Sequence, residues 1–140
     1  MLASQYLILA KEVKQNENGT ISYNEVCQHF YVKKLPANGN FDLATVCGPG
    51  WNAGSYHLHI AMKVGNEEPL KIGFADINIV DEFHIFTAKI NNIGIVINNT
   101  NILYLQVYKH TGEYIENDDT KNLLSGELII ERPFKVITSE

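Results

Sequence analysis

The stretch SYHLHIAMK, residues Ser55 to Lys63, is the strongest indication of the fold class, because apolar side chains recur in it at every second position. Successive side chains of a β-strand point to opposite faces, so the stretch predicts a strand with one buried and one wet face. A strand that is wet on one side is typical of antiparallel sheets. The expected core face and the expected solvent face consist, respectively, of Tyr56, Leu58, Ile60 and Met62 and of His57, His59, Ala61 and Lys63.

Most of the chain repeats this pattern in short segments rich in Ile, Val, Tyr, Phe and Thr, separated by clusters of Gly, Asn and Asp. Helical periodicity is nearly absent, and no linker divides the chain. Residues 1–140 are therefore predicted to form an all-β, single-domain antiparallel β-sandwich, immunoglobulin-like or jelly-roll-like, with at most one short helix near Lys121 to Leu124. The predicted strands are Tyr6–Val13, Ile21–Val32, Phe41–Val46, Ser55–Lys63, Leu70–Val80, Phe83–Asn91, Ile93–Ile97, Ile102–Lys109 and Gly126–Glu131.

Two short connections carry the residues that tight turns need. NENGT at residues 16–20 and NNTN at residues 98–101 each predict a hairpin that joins sequential strands as an antiparallel pair. The tail ERPFKVITSE predicts one more edge strand. Its Pro133 has no N–H to donate to a ladder and is expected only at an edge or a strand start.

Length and charge narrow the class of protein. The 140 residues are enough for one core, and the formal net charge of -5 argues against a surface that tracks nucleic-acid phosphates. The nearest approach to a basic cluster is Lys33 and Lys34, interpreted as a solvated strand end. The apolar run Tyr6 to Ala10 is too short for a membrane span and lacks a preceding basic region. We expect a cytoplasmic domain that binds neither nucleic acid nor membrane.

Two cysteines, Cys27 and Cys47, lie twenty positions apart without a metal-binding spacing. The simpler interpretation is that both are reduced and partly buried in a reducing compartment. A disulfide between them stays open as the alternative if their strands are neighbours.

The His57-x-His59 pair is the sharpest candidate site, because alternate residues of a strand can offer two imidazoles to one metal. A third ligand would come from His29, His84, His110 or a carboxylate. The spacing is similar to the cupin pattern G-x5-H-x-H, but Gly50 comes one place too early and the expected Glu is missing. In the favoured interpretation, His57 and His59 lie on the solvent face of an antiparallel sheet and bind no metal. In the alternative, they are the metal ligands of a metal-dependent enzyme.

Trp51 lies in the Gly-rich loop CGPGWNAG, residues 47–54, before the central strand. We expect its glycines to supply positive φ angles and Gly54 to begin the strand. The favoured interpretation makes Trp51 a plug that closes one end of the sandwich. The alternative is a carbohydrate-binding platform of amphipathic rings formed by Trp51 with Tyr31, Tyr56, Tyr104, Tyr108 and Tyr114.

No motif for nucleophilic catalysis or phosphate binding is present: there is no G-x-S-x-G, no P-loop and no sequence context that activates a cysteine. The sequence therefore predicts a non-enzymatic binding or interaction module, with no catalytic residue and no cofactor. An exposed sheet edge would suit a homodimer or a protein partner. The candidate binding surface consists of Trp51, His57 and His59.

The order of these features resembles a family of small uncharacterised bacterial proteins with an immunoglobulin-like β-sandwich. The resemblance is carried by YLILAKEV (residues 6–13), NGTISYNEVCQHFYV (18–32), AGSYHLHIAMKV (53–64) and NNTNILYLQVYKHTGEYI (98–115). It spans most of the chain but is a pattern of strands. It implies the fold and assigns no activity, so no functional residue is carried over.

Overall fold

A computed structural model describes residues 5–111 and 126–139, and within these ranges it contains ten β-strands and no helix. The all-β prediction is confirmed, whereas the helix predicted at Lys121 to Leu124 lies outside the described residues. None of the described residues belongs to a helix capable of crossing a membrane. The strands are β1 (Gln5–Gln15), β2 (Ile21–Val26), β3 (Phe30–Val32), β4 (Ala37–Cys47), β5 (Gly54–Val64), β6 (Leu70–Ile79), β7 (Phe86–Ile97), β8 (Leu103–Thr111), β9 (Glu127–Phe134) and β10 (Val136–Thr138).

Two four-stranded antiparallel sheets pack together as a sandwich. The first sheet has the order β2-β1-β4-β7 and the second has the order β6-β5-β8-β9. Strands β3 and β10 pair in parallel as a separate two-stranded sheet, here called the small sheet. The sandwich prediction is therefore confirmed.

The core lies between the two large sheets and follows the alternation of the strands. Leu58 and Ile60 of β5 are fully buried and pack in one cluster with Leu9, Leu43 and Ile95 of the first sheet. Burial stabilises the folded state by roughly 25 cal/mol for each Å² of apolar surface removed from water. The apolar side chains on the inner faces of both sheets therefore stabilise the fold. The core face predicted for β5 is confirmed.

Three predicted strands are corrected. The segment Ile21–Val32 contains two strands, β2 and β3. The predicted strands Phe83–Asn91 and Ile93–Ile97 are parts of one strand, β7, which begins only at Phe86. Asn92 in β7 adopts φ 60, a left-handed conformation that Asn tolerates better than most residues. Because Asn can adopt this angle, it does not end the strand. Pro133 lies in β9, which is an edge strand as predicted.

The two predicted hairpins have different outcomes. Residues 16–20 join β1 to β2 as an antiparallel pair, and Gly19 has the left-handed φ of 84 that its turn requires. Residues 98–101 instead carry the chain from β7 in the first sheet to β8 in the second sheet. The hairpin prediction there is wrong, because a tight turn rich in Asn also suits an arch between two sheets.

Strand β1 leaves β4 halfway along its length. Residues Gln5–Ala10 pair with β4, and β1 then continues to Gln15 paired only with β2. Val13 of this hairpin packs on Ala44 of β4 in a small separate cluster. The departure of β1 leaves the first part of β4, Ala37–Phe41, paired with β7 alone.

Candidate binding groove

Trp51 is a buried plug, as the favoured interpretation predicted. Its side chain is 3% exposed, and its ring meets that of Tyr56 edge to face at a centroid distance of 5.0 Å. The Lys109 ammonium lies 4.2 Å from the Trp51 ring centroid, and the indole N–H donates to Gln5 Oε1 at 3.5 Å. A sugar platform needs an exposed ring face. The burial of Trp51 contradicts its part in the carbohydrate alternative.

The glycines of the same loop fix its path. Gly48 has φ 88, and a Cβ atom there would lie 2.3 Å from the backbone oxygen of His84. The Gly50 N–H donates to the Glu82 carbonyl at 2.7 Å, and Gly54 begins β5. Only a glycine permits both the positive φ and the close approach at position 48. The loop thereby packs against residues 80–85 and turns Trp51 inward.

His59 is fully buried, so the prediction that it faces solvent is wrong. Its ring lies 4.6 Å from the His110 ring and 5.1 Å from the Phe74 ring, measured between centroids. Burial, reinforced by nearby His110, lowers the pKa of His59 to about 4. Neighbouring strands β6 and β8 place aromatic rings on both sides of the outward face of β5. Rings on both neighbouring strands therefore contact His59.

His57 lies at the margin of the same face, with 24% of its side chain exposed. Its ring stacks over Phe74, and its Nδ1 hydrogen-bonds the Asp76 carboxylate. Among the suggested further ligands, His110 approaches His59, whereas His29 and His84 lie elsewhere. Within residues 5–111 and 126–139, no group of three or more His, Cys, Asp or Glu side chains is arranged to hold a metal ion.

Both cysteines are free, so the disulfide alternative is contradicted in this structure. Cys47, the last residue of β4, is buried in the main core, and burial raises the pKa of its thiol to about 11. Cys27 is partly buried and donates from its thiol to the His29 carbonyl at 3.1 Å. Burial also raises the pKa of Cys27. Both groups are therefore protonated thiols at neutral pH.

A groove of about 360 Å³ lies between β3 and the first part of β4, and we call it the β3–β4 groove. Its apolar lining includes Phe41 of β4, Ile95 and Ile97 of β7, and Phe30 of β3. Phe30 and Phe41 contact each other edge to face with centroids 5.6 Å apart. The lining is thus continuous with the main core and is held by three strands.

Two of the strands that line the groove are each paired on one side only. In the described part of the chain, residues Ala37–Phe41 of β4 pair only with β7, and β3 pairs only with β10. Backbone N–H and C=O groups on an unpaired edge are ready to form a ladder with another strand. The β3–β4 groove therefore offers backbone hydrogen bonds on two sides and apolar contact below.

Polar groups and one aromatic ring border the groove. Lys11 and Glu25 line it where β1 leaves β4, and Glu25 has a left-handed φ of 54. His29 Nδ1 is buried in the lining and has no hydrogen-bond partner among the described residues. Tyr31 of β3 is 73% exposed at the rim. These groups could fix the position of a ligand held by the strand edges.

None of the predicted site residues Trp51, His57 and His59 lies in this groove. The pattern of residues 21–32 predicts one continuous strand, so it gives no indication of the groove. Which edge of β4 stays open depends on where β1 turns away, and that is a tertiary property. Gly39, whose missing side chain leaves space beside Phe41, is the local signal that points to it.

No protein-family model matches this sequence, and no curated protein matches it either.

Proposed function

We propose that this protein is a non-enzymatic interaction module that binds an extended peptide segment of a partner protein in the β3–β4 groove. The observation that carries the proposal is that β3 and the first part of β4, each paired on one side only, both line one apolar groove. In β-strand addition, main-chain hydrogen bonds supply affinity and pockets for alternate side chains supply specificity. The β3–β4 groove has the elements for both.

The bound segment would join the small sheet to the first sheet. Strand β3 would lie on one side of it and residues Ala37–Phe41 on the other, giving the order β10-β3-peptide-β4-β7. Every second side chain of the peptide would lie on the same sheet face as Phe41, its neighbour across the new ladder. Exposed Tyr31 adds a ring of the kind that concentrates binding energy at interfaces.

We further propose a cytoplasmic location and membership of the immunoglobulin-like bacterial family that the strand pattern resembles. Two free cysteines support a reducing compartment. The net charge of -5 supports a protein partner over a nucleic acid. The burial of Trp51 and His59 supports the peptide groove over a site built on those two side chains.

The test uses a phage-displayed library of random linear peptides of about ten residues, selected on the intact protein. Gly39→Val adds a side chain inside the groove, where a Cβ atom would lie 3.2 Å from the Phe41 ring. Gly94→Val makes the same change on the exposed side of β7 and is the matched control. We expect enriched peptides to bind the wild type and Gly94→Val equally, and Gly39→Val at least about tenfold more weakly.

A second measurement does not depend on how well Gly39→Val folds. Cys27 lines the groove, so a bound peptide should slow its alkylation in the wild-type protein, with Cys47 as the buried reference. Failure to enrich any peptide, or peptides that bind Gly39→Val fully and leave Cys27 alkylation unchanged, would refute the groove as the site.

A further inference from the structure

Lys33 and Lys34 lie in the connection between the two walls of the β3–β4 groove. Val32 before them and Ala37 after them both line the groove. Both lysines are exposed, and neither forms an ion pair within the described residues. The connection therefore puts two positive charges at one end of the groove in a chain whose net charge is -5.

The direction in which β1 runs along β4 indicates the direction of a bound strand that continues from it. Strand β1 is antiparallel to β4 and pairs, from Gln5 to Ala10, with residues from Cys47 down to Asp42. A peptide that continues this row would meet Phe41 first and Ala37 last. Such a peptide is antiparallel to β4 and parallel to β3, because β3 leads into β4 through residues 33–36 and the two strands run in opposite directions. The carboxyl end of the peptide then lies nearest the connection that carries Lys33 and Lys34.

The opposite end of the groove has a balanced charge. Lys11 and Glu25 both line it there, so that end presents one cation and one anion. Among the described residues that line the groove, Glu25 is the only acidic one, so none of them lies at the end beside Lys33 and Lys34. Lysine ammonium groups are compact donors that suit carboxylates.

We infer that the β3–β4 groove selects an extended peptide whose carboxyl-terminal end is anionic and lies against Lys33 and Lys34. This inference rests on the proposed function and specifies the chemistry of the partner. Acidic side chains and a free terminal carboxylate present the same carboxylate oxygens. Alternating apolar side chains occupy the floor, and the anionic end fixes direction.

The test resynthesises the enriched peptides as fluorescein conjugates with four different ends. Each end consists of two added residues and a carboxyl terminus that is either amidated or free. The four ends are Glu-Glu amidated, Ser-Ser with a free carboxylate, Ser-Ser amidated, and Lys-Lys amidated. On wild-type protein at low salt, we expect one or both carboxylate ends to bind about fivefold to tenfold tighter than the amidated Ser end, and the Lys end to bind most weakly. About 1 M salt should narrow the difference, because these charges are exposed.

Charge reversal provides the decisive comparison. In the Lys33→Glu/Lys34→Glu variant, the order of affinities should invert, so that the Lys end binds best. The control variant Lys14→Glu/Lys89→Glu makes the same change in net charge at two exposed lysines outside the groove and should keep the wild-type order. The Glu end and the free carboxylate, compared with each other, identify which source of carboxylate is preferred.

The two proposals fail in distinguishable ways. Equal affinity of all four ends, together with loss of binding in Gly39→Val, would overturn the charge inference and leave the peptide groove standing. An order that stays unchanged in Lys33→Glu/Lys34→Glu would also overturn it. Binding that survives Gly39→Val in full, without protection of Cys27, would overturn the proposed function and the inference with it.

Discussion

Trp51 shows how a single residue closes the sandwich. Its indole is buried among Tyr56, the stem and charge of Lys109, and the amide of Gln5. An amphipathic ring in such a place contributes packing area and a cation–π contact. At the residue scale, therefore, the loop that precedes β5 stabilises the fold and presents no ligand surface through Trp51.

Trp51→Ala should lower the free energy of unfolding by about 3–5 kcal/mol, because the truncation leaves a cavity in the main core. Urea denaturation measures the change. Tyr31→Ala is the matched aromatic control and should stay within about 0.5 kcal/mol of the wild type, since Tyr31 is 73% exposed. A Trp51→Ala protein as stable as the control would contradict the plug.

His59 should make stability depend on pH. Because its pKa is lowered from 6.5 to about 4 in the folded protein, the unfolded chain takes up the proton first as the pH falls. Stability is then fully present above about pH 6.5 and is lost toward pH 4, at up to about 1.4 kcal/mol for each pH unit.

His59→Phe keeps a ring of similar shape and removes the titration. Its unfolding free energy, measured between about pH 7 and pH 4, should fall less steeply than that of the wild type. Equal slopes for the two proteins would show that His59 does not couple folding to protonation.

Asp42 controls, at the scale of elements, where β1 leaves β4. One carboxylate oxygen accepts from the Val13 N–H at 2.9 Å, and the other accepts from the Asn92 N–H at 2.9 Å. The residue thus ties the β1–β2 hairpin to the irregular point of β7. The same tie keeps residues 37–41 of β4 free on one edge.

Asp42→Asn should lower the free energy of unfolding by about 1 kcal/mol, because the amide retains only one acceptor oxygen for the part-buried Val13 bond and the exposed Asn92 bond. Glu12→Gln removes a carboxylate charge at an exposed position of β1 and serves as the control. The two variants are compared by urea denaturation. If Asp42→Asn lowers the free energy of unfolding no more than Glu12→Gln does, the two Asp42 hydrogen bonds do not hold the β1–β2 hairpin in place.

The sequence predicts strands well where alternation is strict, and less well where tertiary contacts decide. The alternation of β5 identifies its core residues, and Gly19 marks the first hairpin. The partner of β8 is not encoded in NNTN, because the turn is compatible with two topologies. Alternation within β5 does not predict the burial of His59, because burial depends on contacts with other parts of the chain, among them Phe74 of β6 and His110 of β8. It does not predict the groove either, because the groove forms where β1 leaves β4.

The open groove is a property of the whole molecule, because it separates the small sheet from the first sheet. A ligand that binds only the folded state stabilises it by RT ln(1 + [L]/Kd). An enriched peptide at about a hundred times its Kd should therefore raise the unfolding free energy of the wild type by about 2.7 kcal/mol. Gly94→Val should show the same gain and Gly39→Val much less, in denaturation curves recorded with and without peptide.

A peptide that completes the ladder between β3 and β4 will be detected by amide hydrogen exchange of the wild-type protein, recorded with and without a saturating enriched peptide. We expect slower exchange for those amides of Tyr31 and of residues 37–41 that face the groove, with little change along β6 or β9. Unchanged exchange along both walls, or protection confined to another strand edge, would contradict it.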